Sequence, residues 1–487
     1  MLFTSVSFFL FLPAALIIYY SAPLGRRWIA LLFLSIFWYG CSGTKPLFLL
    51  LGTAFFIWKS SLVLEEKRER SSGDRSAGLL FILSLLLPFT VLFVFKYSGD
   101  VFGKLILPVG ISYYTFQAVG YLMDVYWGRV KAEKNPFRLM LFLMYFPQLL
   151  QGPIGRYKDL SAALYEGHLF DEKRFLKGLE RITFGIFKSM LAAGWGGFYR
   201  RAVFEQTAEL PGTAFFGVLF YTVELYGSFS GGIDIALGIS ELFGISLPEN
   251  FRQPFFAVSV QDFWTRWHIT LGTWMKEYVM YPLTLSHFMK GFGKYSKRLF
   301  GKKYGRLLPP CLSSIIVFML VGIWHGPGMR NLLWGLFNGV VIAAGILFES
   351  SGASLLKRLG ISDDSRGLRF IRILRTFIIM NLSWYFDLAD SFSHAVNMIK
   401  LSLTEFRPSE LLMIDPGRLS PAAVLGVLLI SVMIIFTVDL LNEKHYPIEG
   451  IIASLPSWVR VGMMLLAVFV TAFLSPVETG GFIYAQF

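Results

Sequence analysis

Residues 318–335 read FMLVGIWHGPGMRNLLWG. An imidazole, His325, stands inside an apolar run and is followed at once by Gly326-Pro327-Gly328, a sequence that ends a helix. The apolar character resumes on both sides, over 308–324 and 331–348. Two such segments joined by a short turn predict a helical hairpin able to cross roughly 30 Å of hydrocarbon.

Outward from this hairpin the pattern repeats. Of 487 residues, 55% are hydrophobic, 16% are charged and 49 are Phe. Further candidate spans are 3–20, 28–39, 46–63, 78–95, 105–126 and 137–150 in the first part of the chain. Past the middle they are 175–195, 215–243, 371–386, 421–440 and 459–474. A soluble core does not absorb so many apolar stretches, so the expected fold is an all-α polytopic integral membrane protein. It has about eleven transmembrane helices plus re-entrant and interfacial pieces, and 1–487 reads as a single membrane domain. The first stretch has no basic residue before it and no small-x-small site after it, so it reads as a retained span. Segment 137–150 ends in Phe146-Pro147, followed by Gly152-Pro153, and predicts a broken or re-entrant helix. The charged stretch 65–75, EEKRERSSGDR, reads as a solvated loop.

The net charge of +13 does not indicate nucleic acid, because a membrane protein collects Lys and Arg in its cytoplasmic loops. The longest such loop is expected at 290–306, with seven Lys or Arg and no acid. It marks topology and touches anionic lipid, or it docks an acidic carrier or the phosphates of CoA. With Arg26-Arg27 and 357–375 also cytoplasmic, the N-terminus is placed outside and the Gly326–Arg330 turn in the outer half of the membrane. Cys41 and Cys311 suggest no disulfide scaffold, and no Cys/His spacing implies a metal site.

Of six histidines, only His325 lies in a long apolar run. It is either a neutral hydrogen-bonding group between helices or a general base, and Gly322, Gly326 and Gly328 leave room for a ligand to approach. His268 lies in DFWTRWHITLGTWMKEY, where Trp264, Trp267, Trp274 and Tyr278 with Arg266 and Lys276 read as a membrane-surface helix. Asp262 and Glu249-Asn250 add polar groups beside it. In SFSGGID, 228–234, a Gly-Gly pair and Asp234 interrupt an apolar run. Such a break lines a cavity, or Asp234 pairs with a buried base. There is no GxSxG elbow, phosphate loop or HExxH.

Six segments in order resemble the membrane-bound O-acyltransferase (MBOAT) superfamily, in its bacterial alginate O-acetyltransferase-like branch, related to the teichoic acid D-alanyl transfer membrane protein. They are LFTSVSFFLFLPAALIIYY, LPVGISYYTFQAVGYLMDVYWG, FPQLLQGPIGRY, SFSGGIDIALGISELFGISLPENFRQPF, DFWTRWHITLGTWMKEYVMYPL and GIWHGPGMRNLLWGLFNG. The resemblance implies helices around a central pore, with His325 reactive and His268 at the opposite, donor end. It implies pore-lining positions at Gln151, Pro153 and Arg156, at Trp264, Arg266 and Trp267, and at Asp234 and Asn250. Trp324 and Asn331 are the expected oxyanion donors. The terminus FIYAQF, 482–487, resembles an F-x-Y-x-x-F motif whose tyrosine, Tyr484, carries the acyl group transiently; otherwise it is an interfacial aromatic anchor.

The implied activity is acyl transfer from acetyl-CoA, or an acyl-carrier-protein thioester, with no bound cofactor. The implied setting is a bacterial inner membrane, with an extracytoplasmic SGNH-hydrolase-like acetyltransferase as partner and the lipid bilayer as surroundings. D-alanyl transfer to teichoic acid is the alternative within enzymes. A transporter or flippase is the alternative outside them, though no inverted repeat or midplane ion site supports it. Departures from the family pattern are Asn338 for a usual histidine, Gly231-Gly232-Ile233, and Lys276-Glu277-Tyr278.

Overall fold

The computed structural model describes residues 3–70, 75–97, 107–205, 210–389 and 391–476. These are helical almost throughout, with one isolated bridge, Phe251 to Trp267, and no strand among the described residues. Among the described residues, six helices are long and apolar enough to cross a membrane by length and composition: Thr44–Arg70, Ser76–Tyr97, His287–His325, Met329–Arg358, Pro421–Glu443 and Ser457–Leu474. Val6–Ser21 is a shorter apolar helix. Other expected spans are helical but mixed in character. Arg366–Leu388, for example, begins with arginines at 366, 369, 372 and 375 before its apolar stretch.

Two expected loops are helices. Residues 65–70 continue Thr44–Arg70, supported by the Glu66–Arg70 pair at i,i+4 (2.5 Å). The basic stretch 290–306 lies within His287–His325, which is broken at Gly301 (φ 82°, ψ 176°). A Cβ at Gly305 would lie 2.5 Å from Lys297 Cβ, and one at Gly293 3.4 Å from Pro309. The part before Gly301 therefore folds back along the base of the span as a tight helical hairpin. Phe288, Tyr295 and Leu299 form an exposed apolar stripe on it. Lys and Arg are good helix formers, and this alternation suits an interfacial helix better than a loop.

The 137–150 segment is broken, into Pro136–Met144 and Phe146–Leu149, with Tyr145 non-helical ahead of Pro147. Its non-helical backbone is tolerated because residues 141–151 are buried in protein.

Residues 228–234 behave otherwise than expected. Ala214–Leu242 is one continuous helix of 29 residues. Its glycines serve packing: a Cβ at Gly231 would lie 2.7 Å from the Gly185 carbonyl, and one at Gly238 2.6 Å from that of Gly178. Small residues on both faces let this helix and Glu172–Ile186 meet backbone to backbone.

The segment around His268 is also corrected. Instead of one surface helix it forms two short ones, Val260–Arg266 and Ile269–Met275, with Trp267, Trp274 and Tyr278 buried. Their polar tips find partners inside. The Trp274 indole donates to the Phe116 carbonyl (2.9 Å) and the Tyr278 hydroxyl to Asp124 (2.8 Å).

Candidate active site

His325 is the last residue of His287–His325, and the chain leaves it through Gly326 and Gly328 (φ 118°), a conformation that excludes a side chain. The following helix, Met329–Arg358, packs back along the first. A Cβ at Gly322 would overlap the Asn331 carbonyl, one at Gly335 the Phe318 carbonyl, and one at Gly339 would lie 2.7 Å from Ile315 Cα. The space at Gly322 is thus taken by the partner helix, not by a ligand. The last carbonyls of the His287–His325 helix, which have no intrahelical donor, are met from Ser76–Tyr97. Lys96 Nζ donates to the Trp324 carbonyl and the Tyr97 hydroxyl to that of Ile323. A cation at a helix C-terminus is favourable in itself, and Lys96 also sits over the Trp324 ring (4.8 Å). The half-buried His325 ring lies between Trp324 and Trp334, each 4.9 Å away centroid to centroid.

His268 joins the two short helices in the left-handed region (φ 49°, ψ 52°), rare for a residue with a Cβ. It is buried, with the Phe229 ring edge-on at 4.8 Å. Its Nδ1 lies 3.2 Å from Asn250 Oδ1. That oxygen also accepts from the Thr270 backbone N–H (3.0 Å) and hydroxyl (2.9 Å), so it is an acceptor. Nδ1 must then carry the proton, and Nε2, which has no partner among the described residues, carries the lone pair. The Thr270 hydroxyl in turn accepts from Ile154 N–H (3.1 Å), tying the GPIGRY segment to this network.

A cavity of about 500 Å³ runs between these groups. It is lined by His268 and His325, with Trp264, Trp267, Trp334 and Trp384 among its walls. Ser314, Val317 and Val321 line it as well, so it follows the 287–325 helix for eleven residues to His325, roughly 16 Å at 1.5 Å per residue. Trp264 is held by Asn338, whose amide also donates to Ser383 (2.8 Å). Asn338 therefore occupies the usual histidine's place as a tie between helices.

The remaining expected residues that are described do not line this cavity and are held in ion pairs or packing instead. Asp234 is gripped by Lys188 and by Arg181 (3.0 Å). Arg266 bridges Asp262 (2.9 Å) and Glu443 (2.7 Å), and Arg156 pairs with Glu277, a cavity-lining residue. Gln151 is buried against Gly232, and Pro153 is buried beside it. The buried Asn331 amide donates weakly to the Pro327 carbonyl (3.4 Å), and the Trp324 indole N–H is buried without a partner among the described residues. Tyr484 and the rest of 482–487 lie outside the described residues.

Sequence reasoning missed Lys96, Trp334, Trp384 and Asp387. Asp387 and Lys96 carried a signal, each a charged residue directly after an apolar stretch.

Residues 133–350 match the membrane-bound O-acyltransferase family, MBOAT. The chain is 27% identical to the "Probable alginate O-acetylase AlgI" of Pseudomonas aeruginosa, over 92% of this chain and 83% of that protein. It is 28% identical to the peptidoglycan O-acetyltransferase of Helicobacter pylori, over 82% and 78%. It is 27% identical to the teichoic acid D-alanyltransferase of Bacillus subtilis, over 60% and 71%.

Proposed function

Since this protein is a membrane acyltransferase whose residues 133–350 form a membrane-bound O-acyltransferase domain, we propose that it moves an acetyl group from a cytoplasmic thioester across the membrane, for O-acetylation of an extracytoplasmic polysaccharide. The observation that carries this reading is that two imidazoles, His268 and His325, line one cavity. Its setting is a bacterial inner membrane. Acetyl-CoA enters at the end walled by Lys276, Met280 and Tyr281, where Tyr281–Leu285 packs against the helix that begins with the basic hairpin.

His325 takes the proton of the attacking hydroxyl as its oxygen bonds to the thioester carbon. The C–S bond breaks and the imidazolium returns that proton to the leaving thiolate. A hydroxyl and a thioester thus become an ester and a thiol. The Trp324 indole N–H is the candidate donor to the oxyanion. Tyr484 is the first hydroxyl to attack, since a phenyl ester stays activated, and an SGNH-hydrolase-like partner outside passes the acetyl group to the polysaccharide.

The test is release of CoA and acyl labelling from radiolabelled acetyl-CoA in proteoliposomes. His325→Ala should lower both by about 10²–10⁴ while the protein stays folded; an unchanged rate ends this reading. Unchanged polymer acylation in Tyr484→Phe removes the carrier step alone. D-alanyl transfer is the second reading, supported by similarity to the Bacillus subtilis D-alanyltransferase. It is selected if a D-alanyl carrier-protein thioester is consumed in place of acetyl-CoA.

A further inference from the structure

Asp387 lines the cavity and has no role in the mechanism above. It is the penultimate residue of Arg366–Leu388, whose opposite end carries the arginines. By the positive-inside rule that basic end is cytoplasmic, so Asp387 lies toward the outside, as His325 does. Ring contacts place the two at similar depth. His325 packs on Trp334 (4.9 Å), and Phe337, one turn further on, packs on Phe386 (5.7 Å), which precedes Asp387.

The carboxylate is held in place. Tyr221, from the continuous Ala214–Leu242 helix, donates its hydroxyl to Asp387 Oδ2 at 2.5 Å. An ionisable side chain on a cavity whose walls include four tryptophans, Val317, Phe318 and Val321 is costly, and such groups in membrane domains mark substrate paths. One oxygen is committed to Tyr221. The carboxyl group has further acceptor capacity.

We propose that Asp387 binds the acyl acceptor: fixed by Tyr221, it accepts a hydrogen bond from the incoming hydroxyl group and holds that group beside His325. This rests on the acyl-transfer reading and adds a recognition element at the outer end of the cavity. The hydroxyl belongs to the Tyr484 phenol or to a sugar, and both have the donor that a carboxylate needs.

The test separates transfer from loss of the acyl group to water. Full-length Asp387→Asn and Tyr221→Phe are compared with wild type in proteoliposomes supplied with labelled acetyl-CoA. Free acetate, acetylation of the C-terminal peptide by mass, and acetylation of added oligomannuronate are all measured. In Asp387→Asn an amide N–H₂ replaces an acceptor oxygen, so the ratio of transfer to hydrolysis should fall about ten- to hundredfold, the worth of a hydrogen bond to a charged group. Tyr221→Phe should lower the ratio less, and it carries the test if Asp387→Asn does not fold. A fall in peptide acetylation identifies the phenol as the ligand; a fall confined to oligomannuronate identifies the sugar. A ratio that stays at the wild-type value, whether both activities fall together or neither does, overturns the proposal. Wild-type protein that neither hydrolyses acetyl-CoA nor becomes acetylated removes the acyl-transfer reading, and this inference with it.

Discussion

Replacing Asn250 with leucine tests the arrangement that sets the His268 tautomer. Asn250 Oδ1 accepts from the Thr270 backbone N–H (3.0 Å), the Thr270 hydroxyl (2.9 Å) and His268 Nδ1 (3.2 Å). Leucine has a similar volume, so the main loss is polar. The Thr270 hydroxyl can rotate to another acceptor, but the Thr270 N–H and His268 Nδ1–H are left buried and unpaired. At about 1–3 kcal/mol for each such group, the cost is about 2–6 kcal/mol. That should appear as a clearly lowered apparent unfolding temperature in detergent. Activity should fall further, because the imidazole is no longer bound to present its Nε2 lone pair to the cavity. Asn250→Asp is the control: it keeps the acceptor oxygens and should retain most of the stability. Its added charge favours the imidazolium, so His268 stays protonated to a higher pH and the acid limb of the pH–activity profile moves upward. If the leucine variant unfolds at the wild-type temperature with wild-type activity, the network described here is wrong. An unmoved acid limb in the aspartate variant would refute the tautomer argument alone.

Asp234→Asn should strip charge compensation from the buried Lys188 and from Arg181, a loss of about 3–5 kcal/mol. Measured by yield of folded protein and rate per folded molecule, the yield should drop and the rate should hold; the reverse pattern would make Asp234 a chemical residue. Gly322→Ala should push apart the two helices that carry the His325 turn, because its Cβ overlaps the Asn331 carbonyl, whereas Gly345→Ala, with nothing within 4 Å, should be tolerated. Detergent melting temperatures of the two variants check this, and equal values would refute the close packing.

Much of the site was legible one residue at a time. His325 stood out because an imidazole in an apolar run is costly, and Gly326-Pro327-Gly328 announced the turn that presents it. The broken helix near Pro147 followed from the missing backbone N–H. What misled was the reading of local polarity as local exposure. Trp267, Trp274 and Tyr278 beside Arg266 and Lys276 had the composition of a surface helix, yet the left-handed kink at His268 and indole and phenol bonds to residues 154 or more positions away draw them inside. Gly231-Gly232 looked like a helix break and is a packing seam. The basic stretch 290–306 looked like a loop and is a helical hairpin.

By itself the sequence determined that this is a helical membrane protein, where its most apolar spans run, and that His325 sits at a turn between two of them. Those properties depend on runs of about 20 residues against the thickness of hydrocarbon, which any local window reports. Only the tertiary structure decided which polar groups meet: Asp234 with Lys188 and Arg181, His268 with Asn250, Asp387 with Tyr221 across 166 residues of chain. In a membrane the face of a helix turned to lipid is as apolar as the face turned to protein. Hydropathy therefore marks that a segment is buried without marking what it is buried against, and the cavity shared by the two histidines arises from those unmarked faces.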